Sequence, residues 1–252
     1  MRLFSEQECR QGVGLPFEIQ QKLRSGDFAF VTEMGRNLQL DEQVLCTANY
    51  MINVFFTRRS YLNYDRHIVS TSALILSCKL HNFKRQNKRI YPIAFVSYYH
   101  NIIHSKLHTN SDRQPPVFDE NLKAEYLSKI FKAEFKLMKT LEFDMEIDLP
   151  IYYLDLIIDK LYAGVEDRAI FLTMARVMAN ESMRTIAPLC IRALAVAVAS
   201  VVLAGVICNM PRPQQLIRIP NPEEWWTNVS PDLQLSEITQ AMRIIMEALT
   251  LK

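Results

Sequence analysis

Glycine is scarce in this chain: only Gly12, Gly14, Gly26, Gly35, Gly164 and Gly205 occur among 252 residues. A phosphate-cradling loop needs clustered glycines so that backbone N–H groups can close on the anion. The Gly12/Gly14 pair has neither a third glycine nor a lysine, which excludes mononucleotide and dinucleotide sites. Cysteine is sparse as well. Cys9, Cys46, Cys78, Cys190 and Cys208 form no C-x-x-C, so a zinc ribbon is absent and free thiols in a reducing compartment are expected. There is no excess of one charge: 29 basic against 27 acidic residues leave +2. A dedicated nucleic-acid binder carries a strong basic surplus, so direct nucleic-acid contact is not expected. The opening MRLFSEQECRQ lacks the apolar core of a signal peptide. The longest uncharged run, Ala193 to Cys208, is bounded by Arg192 and falls short of the roughly 18 residues of a spanning helix. Serines, histidines and carboxylates show no nucleophile–base–orienter spacing. The expectation is a soluble intracellular protein with no catalytic residue, no resident metal and no cofactor.

What is abundant is helical periodicity. Hydrophobic residues make up 49% of the chain, enough for one large core or two ordinary ones. Apolar spacing predicts helices over 17–38, from an Asp41 N-cap onward, over 68–80, 92–108 and 120–142, from Pro150 to Gly164, and over 166–182 and 189–208. A short helix beginning at Asn221 and ending in Trp225-Trp226 follows. A final helix is expected from the Ser230-Pro231-Asp232 cap. Two segments, 68–80 and 189–208, are apolar or small on every side, as a helix at the centre of a bundle must be. They lie roughly 120 residues apart in a repeated order of amphipathic, amphipathic, all-apolar, short and long helices. The chain therefore reads as all-α, two helical domains of one design joined near residue 147. No period-2 alternation predicts a strand, and KRQNKR (84–89) reads as a basic loop.

Two charges fall off this pattern. Lys79 ends the first all-apolar helix, and Glu134 interrupts a stripe made of Leu127, Ile130, Phe131, Leu137, Met138 and Leu141. An unpaired buried charge is costly, so these two either pair internally or lie where a partner protein covers them. The opposite stripe, Lys129, Lys132, Lys136 and Lys139, reads as a solvated face. His100, His104 and His108 recur at i, i+4 and i+8, but no nearby cysteine or carboxylate completes a metal set.

Residues 47–82, read without gaps, resemble the first cyclin box, and most closely that of the transcription-type cyclins of the T and K group. FSEQE and FVTEMGRNLQL resemble the N-terminal helix and lead-in. AEFKLMKTLEFDMEIDLP resembles the fifth helix and the crossing into a second box, and EEWWTNVSPDLQLSEITQAMRIIMEAL its paired-tryptophan and last helices. The resemblance implies two tandem cyclin-fold five-helix domains. Residues 1–40 would be an N-terminal extension and lead-in helix, 41–146 the first box and 147–252 the second.

It implies further that Lys79 and Glu134 bind backbone groups beside the movable regulatory helix of a cyclin-dependent kinase, with Leu80, Met138 and Phe143 adding apolar contacts. His81, Asn82, Lys84 and Arg85 are secondary candidates. The implied role is a nuclear, non-catalytic, activating subunit in a heterodimer with a kinase that phosphorylates the RNA polymerase II C-terminal domain. Three features depart from the family pattern. Lys79 is followed by Leu80-His81-Asn82 rather than a hydrophobe and two glutamates. Asn53-Val54-Phe55 stands for the usual His-Arg-Phe. No MRxIL patch is present, so substrate docking of that kind is not supported. The alternatives are a cyclin that binds without activating, and an adaptor resembling general transcription factor B. The latter predicts a zinc ribbon and a basic second domain that this sequence lacks.

Overall fold

A computed structural model describes residues 3–11, 13–85, 88–107, 117–164, 168–215 and 220–250. Its helices are α1 (Glu6–Gln11), α2 (Phe17–Leu38), α3 (Glu42–Arg58), α4 (Arg66–Leu80), α5 (Pro92–Leu107), α6 (Glu120–Thr140), α7 (Leu154–Leu161), α8 (Arg168–Ser182), α9 (Ala187–Cys190), α10 (Ala193–Ile207) and α11 (Leu235–Thr250), with 3-10 turns at Pro150–Tyr153, Pro213–Gln215 and Trp225–Asn228. The chain divides into two compact units, one of residues 11–145 and one of residues 1–10 together with 146–252. Among the described residues no helix is long and apolar enough to cross a membrane.

In the first unit α4 is the centre, packed against α2, α3, α5 and α6. Its lack of a polar face explains this placement, and Ile68 through Ser77 are all buried. Two of its hydroxyls tie it to neighbouring helices. Ser72 Oγ donates to the Ile130 carbonyl of α6 at 2.9 Å, and Ser77 Oγ to the Val44 carbonyl of α3 at 2.7 Å. Asp65 caps α4 through the His67 and Ile68 N–H groups. Where α2 crosses α3, glycine is required: a Cβ on Gly35 would lie 2.3 Å from Leu45 Cδ2. The buried Arg24 guanidinium donates to Asn53 Oδ1 at 2.9 Å and Thr57 Oγ1 at 3.0 Å. This accounts for the asparagine in Asn53-Val54-Phe55. Asp27 beside it accepts from Arg66 and Tyr61; burial nevertheless pushes its carboxyl up to about 7.

Three details of this unit differ from the sequence expectation. Asp41 occupies the N-cap of α3, but its side chain makes no capping bond. KRQNKR is not all loop, because Lys84–Arg85 and Lys88–Arg89 form a two-residue antiparallel ribbon, β1 and β2, with Lys84 opposite Arg89. Finally α6 stops at Thr140, two residues early. Glu142 and Phe143 follow with φ of 57° and 58°, and their N–H groups close back on the Lys139 and Met138 carbonyls.

In the second unit α10 is the centre, against α7, α8, α9 and α11. Its helix begins at Ala193 rather than Leu189 because the chain is extended at Ile191 and Arg192. That extension sends the Arg192 guanidinium to both carboxylate oxygens of Glu237, at 2.8 and 2.5 Å, and to the Asp232 carbonyl. The last helix starts at Leu235, not at Asp232. Glu237 accepts from the Gln234 N–H, the reciprocal half of a capping box, which sets the N-terminus there. The paired tryptophans begin a 3-10 turn rather than ending a helix, and Trp225 is buried. Glu166, the expected start of α8, lies outside the described residues. The short α1 belongs to this unit: the Phe4 N–H donates to the Leu189 carbonyl at 3.0 Å, and Glu6 accepts from Arg10, Gln240 and Arg243.

Candidate partner-docking face

Lys79 sits in the last turn of α4 and Glu134 near the middle of α6. The Ser72–Ile130 hydrogen bond draws these two helices together one to two turns away from them. Apolar and small residues are needed for that approach, which leaves the long lysine side chain to emerge at the end of α4. Lys79 Nζ donates to Glu134 Oε1 at 2.5 Å. The carboxylate side chain is 8% exposed and the lysine 53%. A pair this open to water at one end contributes no more than about 1 kcal/mol to stability. Its hydrogen-bonding capacity is also not exhausted. Oε2 of Glu134 receives no hydrogen bond from the described residues, and the ammonium has donors to spare. One acceptor and one donor side by side, at the rim of an apolar surface, suit a polypeptide backbone.

Of the three apolar candidates, Leu80 follows Lys79 at the end of α4, Met138 lies four residues after Glu134 on α6, and Phe143 lies beyond the end of α6. Leu80 is 40% and Phe143 59% exposed, while Met138 is half-buried. Phe143 is held outward by the left-handed turn after α6, which Arg58 fastens by donating to the Thr140 carbonyl at 2.5 Å and to Glu142 at 2.6 Å. Of the secondary candidates, His81 Nε2 hydrogen-bonds Thr47 Oγ1 at 2.8 Å and its pKa is lowered by burial. Asn82 is exposed with φ 46°, its N–H closing on the Lys79 carbonyl at 3.1 Å. Asparagine tolerates that conformation better than most residues, so the unusual Leu80-His81-Asn82 ending is a helix stop. Lys84 is exposed on β1; Arg85 follows it there, its side chain outside the described set. Behind Lys79, Ile75, Cys78, Phe83 and Phe95 help line a cavity of about 350 Å³.

One sequence assignment is corrected and one residue was missed. Phe131, placed above in the buried stripe, is 45% exposed, and Phe135 is 50% exposed beside it. On α6 the core-facing side is Ile130, Ala133 and Leu137, continued by Leu141 at the C-cap. At about 100° per residue Phe131 falls beyond Glu134 and Met138, away from that side. The readable signal was Phe135, an aromatic off the apolar stripe and next to the odd glutamate. The lysine stripe is exposed as expected. The His100 and His104 rings are 4.4 Å apart, His108 is outside the described residues, and no described cluster of three or more ligating side chains could hold a metal.

This two-helix edge, with a lysine closing one helix and a glutamate inside the other, can be set beside known proteins. The model of the cyclin N-terminal domain matches residues 6–146. The chain belongs to the cyclin family. This cyclin is 23% identical over 236 residues to cyclin-T1-1 of Oryza sativa subsp. japonica, an alignment covering 92% of this chain and 48% of the rice protein. It thus spans about half the length of that relative. In solved structures its fold matches a chain of the yeast RNA Pol II CTD kinase CTDK-1 complex with a TM-score of 0.69 at 14% identity, over 98% of this chain and 72% of that one. A chain of the CAK complex of Chaetomium thermophilum bound to ATP-γ-S matches with a TM-score of 0.62 at 16% identity, over 92% and 65% respectively. These likenesses carry the all-helical cyclin fold.

Proposed function

We propose that this cyclin is the activating regulatory subunit of a cyclin-dependent kinase that phosphorylates the C-terminal domain of RNA polymerase II, and that it works in the nucleus. The Lys79–Glu134 pair, half covered and with unused hydrogen-bonding capacity, is the observation that carries the docking reading. The choice of polymerase tail as substrate is supported by the relatives, a T-type cyclin and a cyclin-fold chain in a polymerase-tail kinase complex.

In this mechanism Lys79 donates to, and Glu134 Oε2 accepts from, backbone groups beside the kinase's regulatory helix, while Leu80, Met138 and Phe143 exclude water around them. Binding stronger in the active than the inactive kinase arrangement shifts the population toward the active one by that difference in affinity. The chain supplies no atom to phosphoryl transfer; ATP and magnesium belong to the kinase. The test is direct binding of this chain to each cyclin-dependent kinase catalytic subunit of its source organism, expressed singly. One subunit is expected to bind wild type, and a Lys79→Glu/Glu134→Lys variant to lose that binding at least about tenfold. Binding by no subunit contradicts the proposal.

A further inference from the structure

Beyond the pair and its apolar neighbours, α6 presents a surface that the docking role has not used. Going around the helix from Glu134 and Met138, the next positions are Phe131 and Phe135, and beyond them Lys139, Lys132 and Lys136. Phe131 and Phe135 stand one turn apart, each about half exposed. With Ser128, Lys132 and Lys136 they line a shallow hollow of about 490 Å³. Two neighbouring exposed phenylalanines on one helix face form an apolar patch of the kind that marks contact sites.

The charge around this patch is one-sided. Glu134 is neutralised by Lys79, Glu142 is paired with Arg58, and Lys129 with Glu125. Lys132, Lys136 and Lys139 have no carboxylate partner among the described residues. Instead Lys139 lies over the Phe135 ring, 4.6 Å from its centroid, and Lys136 over Tyr64 at 5.1 Å. The first contact holds the Lys139 ammonium at the margin of the aromatic patch, and Lys132 and Lys136 border the hollow itself. The Lys79 ammonium lies 5.9 Å from the centroid of Phe131, so patch and pair are continuous.

We propose that the docking face extends across Phe131 and Phe135 to a rim of Lys132, Lys136 and Lys139, and that it receives an acidic segment of the kinase bearing an apolar side chain. The apolar side chain fills the hollow between the phenylalanines, and the flanking carboxylates meet the lysines. The inference rests on the kinase-docking reading, because continuity with the Lys79–Glu134 pair is what assigns the occupant to the kinase. The rim selects among kinases: a catalytic subunit basic at this place meets like charge and is rejected.

The experiment titrates wild-type chain, Phe131→Ser/Phe135→Ser, Lys132→Glu/Lys136→Glu/Lys139→Glu and Lys79→Glu/Glu134→Lys with the singly expressed kinase subunit that binds wild type, at about 50 and about 300 mM salt. All the altered phenylalanines and rim lysines are exposed, and circular dichroism checks that each variant is folded. Wild-type affinity is expected to fall several-fold between the two salts. The lysine variant should bind at least about tenfold more weakly at low salt, with that dependence gone. The phenylalanine variant should dissociate at least about tenfold faster at both salts. The wild-type salt dependence needs no variant, so a misfolded mutant does not remove the test. Salt-independent wild-type binding, or rim and phenylalanine variants that bind like wild type while the Lys79/Glu134 variant does not, overturns the extension and leaves the docking reading standing. Failure of wild type to bind any kinase subunit overturns both.

Discussion

Glu134 has one carboxylate oxygen on Lys79 and one without a donor among the described residues, an asymmetry that suits the proposed docking role better than a structural one. A pair kept for stability can be exchanged for apolar side chains of similar size with little loss, and often with gain. Lys79→Met/Glu134→Leu should therefore leave the unfolding free energy unchanged within about 1 kcal/mol, or raise it. Kinase binding should fall at least about tenfold, as measured by thermal melting alongside titration. The turn after α6 gives a second residue-scale prediction. Glu142 is a non-glycine in the left-handed region, and its ion pair with Arg58 is open to solvent, with Glu142 73% exposed. Glu142→Gly should stabilise the first unit by up to about 1 kcal/mol in denaturant unfolding, the relief of φ outweighing the lost pair. Of the candidate site, Lys79 and Glu134 were legible in the sequence because each breaks an otherwise clean apolar pattern. The exposure of Phe131 was not, since a residue at the edge of a helical stripe looks the same whether a neighbouring helix or solvent faces it.

Among the elements, those whose ends depend on their own residues were readable, and those fixed by distant partners were not. The bounds of α2 follow from its periodicity and the end of α4 from Lys79 and the polar residues after it. The start of α10 does not, because Arg192 is pulled out of the helix by Glu237, 45 residues downstream. The placement of α1 likewise depends on Arg243 and Gln240. Burial opposes ionisation of Glu6, but hydrogen bonds from Arg243, Gln240 and Arg10 prevail and hold its carboxyl down at about 2, against an ordinary 4.5. A carboxylate with a depressed folded-state pKa contributes stability above the unfolded value and loses it as pH falls toward the folded one. Stability measured between about pH 4.5 and pH 2 should thus fall less steeply for Glu6→Gln than for wild type, with parallel curves above that window. At the α2–α3 crossing, Gly35→Ala drives a methyl into Cγ and both δ carbons of Leu45, so rotating the leucine end cannot clear it. Overpacking of about 1–3 kcal/mol exceeds the roughly 1 kcal/mol of helix propensity gained. A lower melting temperature for Gly35→Ala, recovered in part by Leu45→Ala, is the expected result.

At the scale of the whole molecule, the repeated order of helices predicts two helical domains of one design, because an all-apolar helix has no place except a bundle centre and two occur. Sequence pattern did not show that residues 1–10 gather with 146–252 rather than with the lead-in helix they precede. That grouping depends on ion pairs between segments more than 200 residues apart, such as Arg243 with Glu6. What links the fold to its proposed work is the α4–α6 edge, where the ion pair between the two packed helices is also the proposed docking pair. The proposed role is activation rather than binding alone. It is tested by the rate at which the kinase subunit that binds this cyclin phosphorylates polymerase-tail repeat peptides, with and without the cyclin. At saturating cyclin the rate should rise by about two orders of magnitude or more, as a near-complete shift from a minor active state requires, and Lys79→Glu/Glu134→Lys should abolish the rise. A kinase that binds the cyclin with the same pair of residues and shows no gain in rate would contradict the activating role.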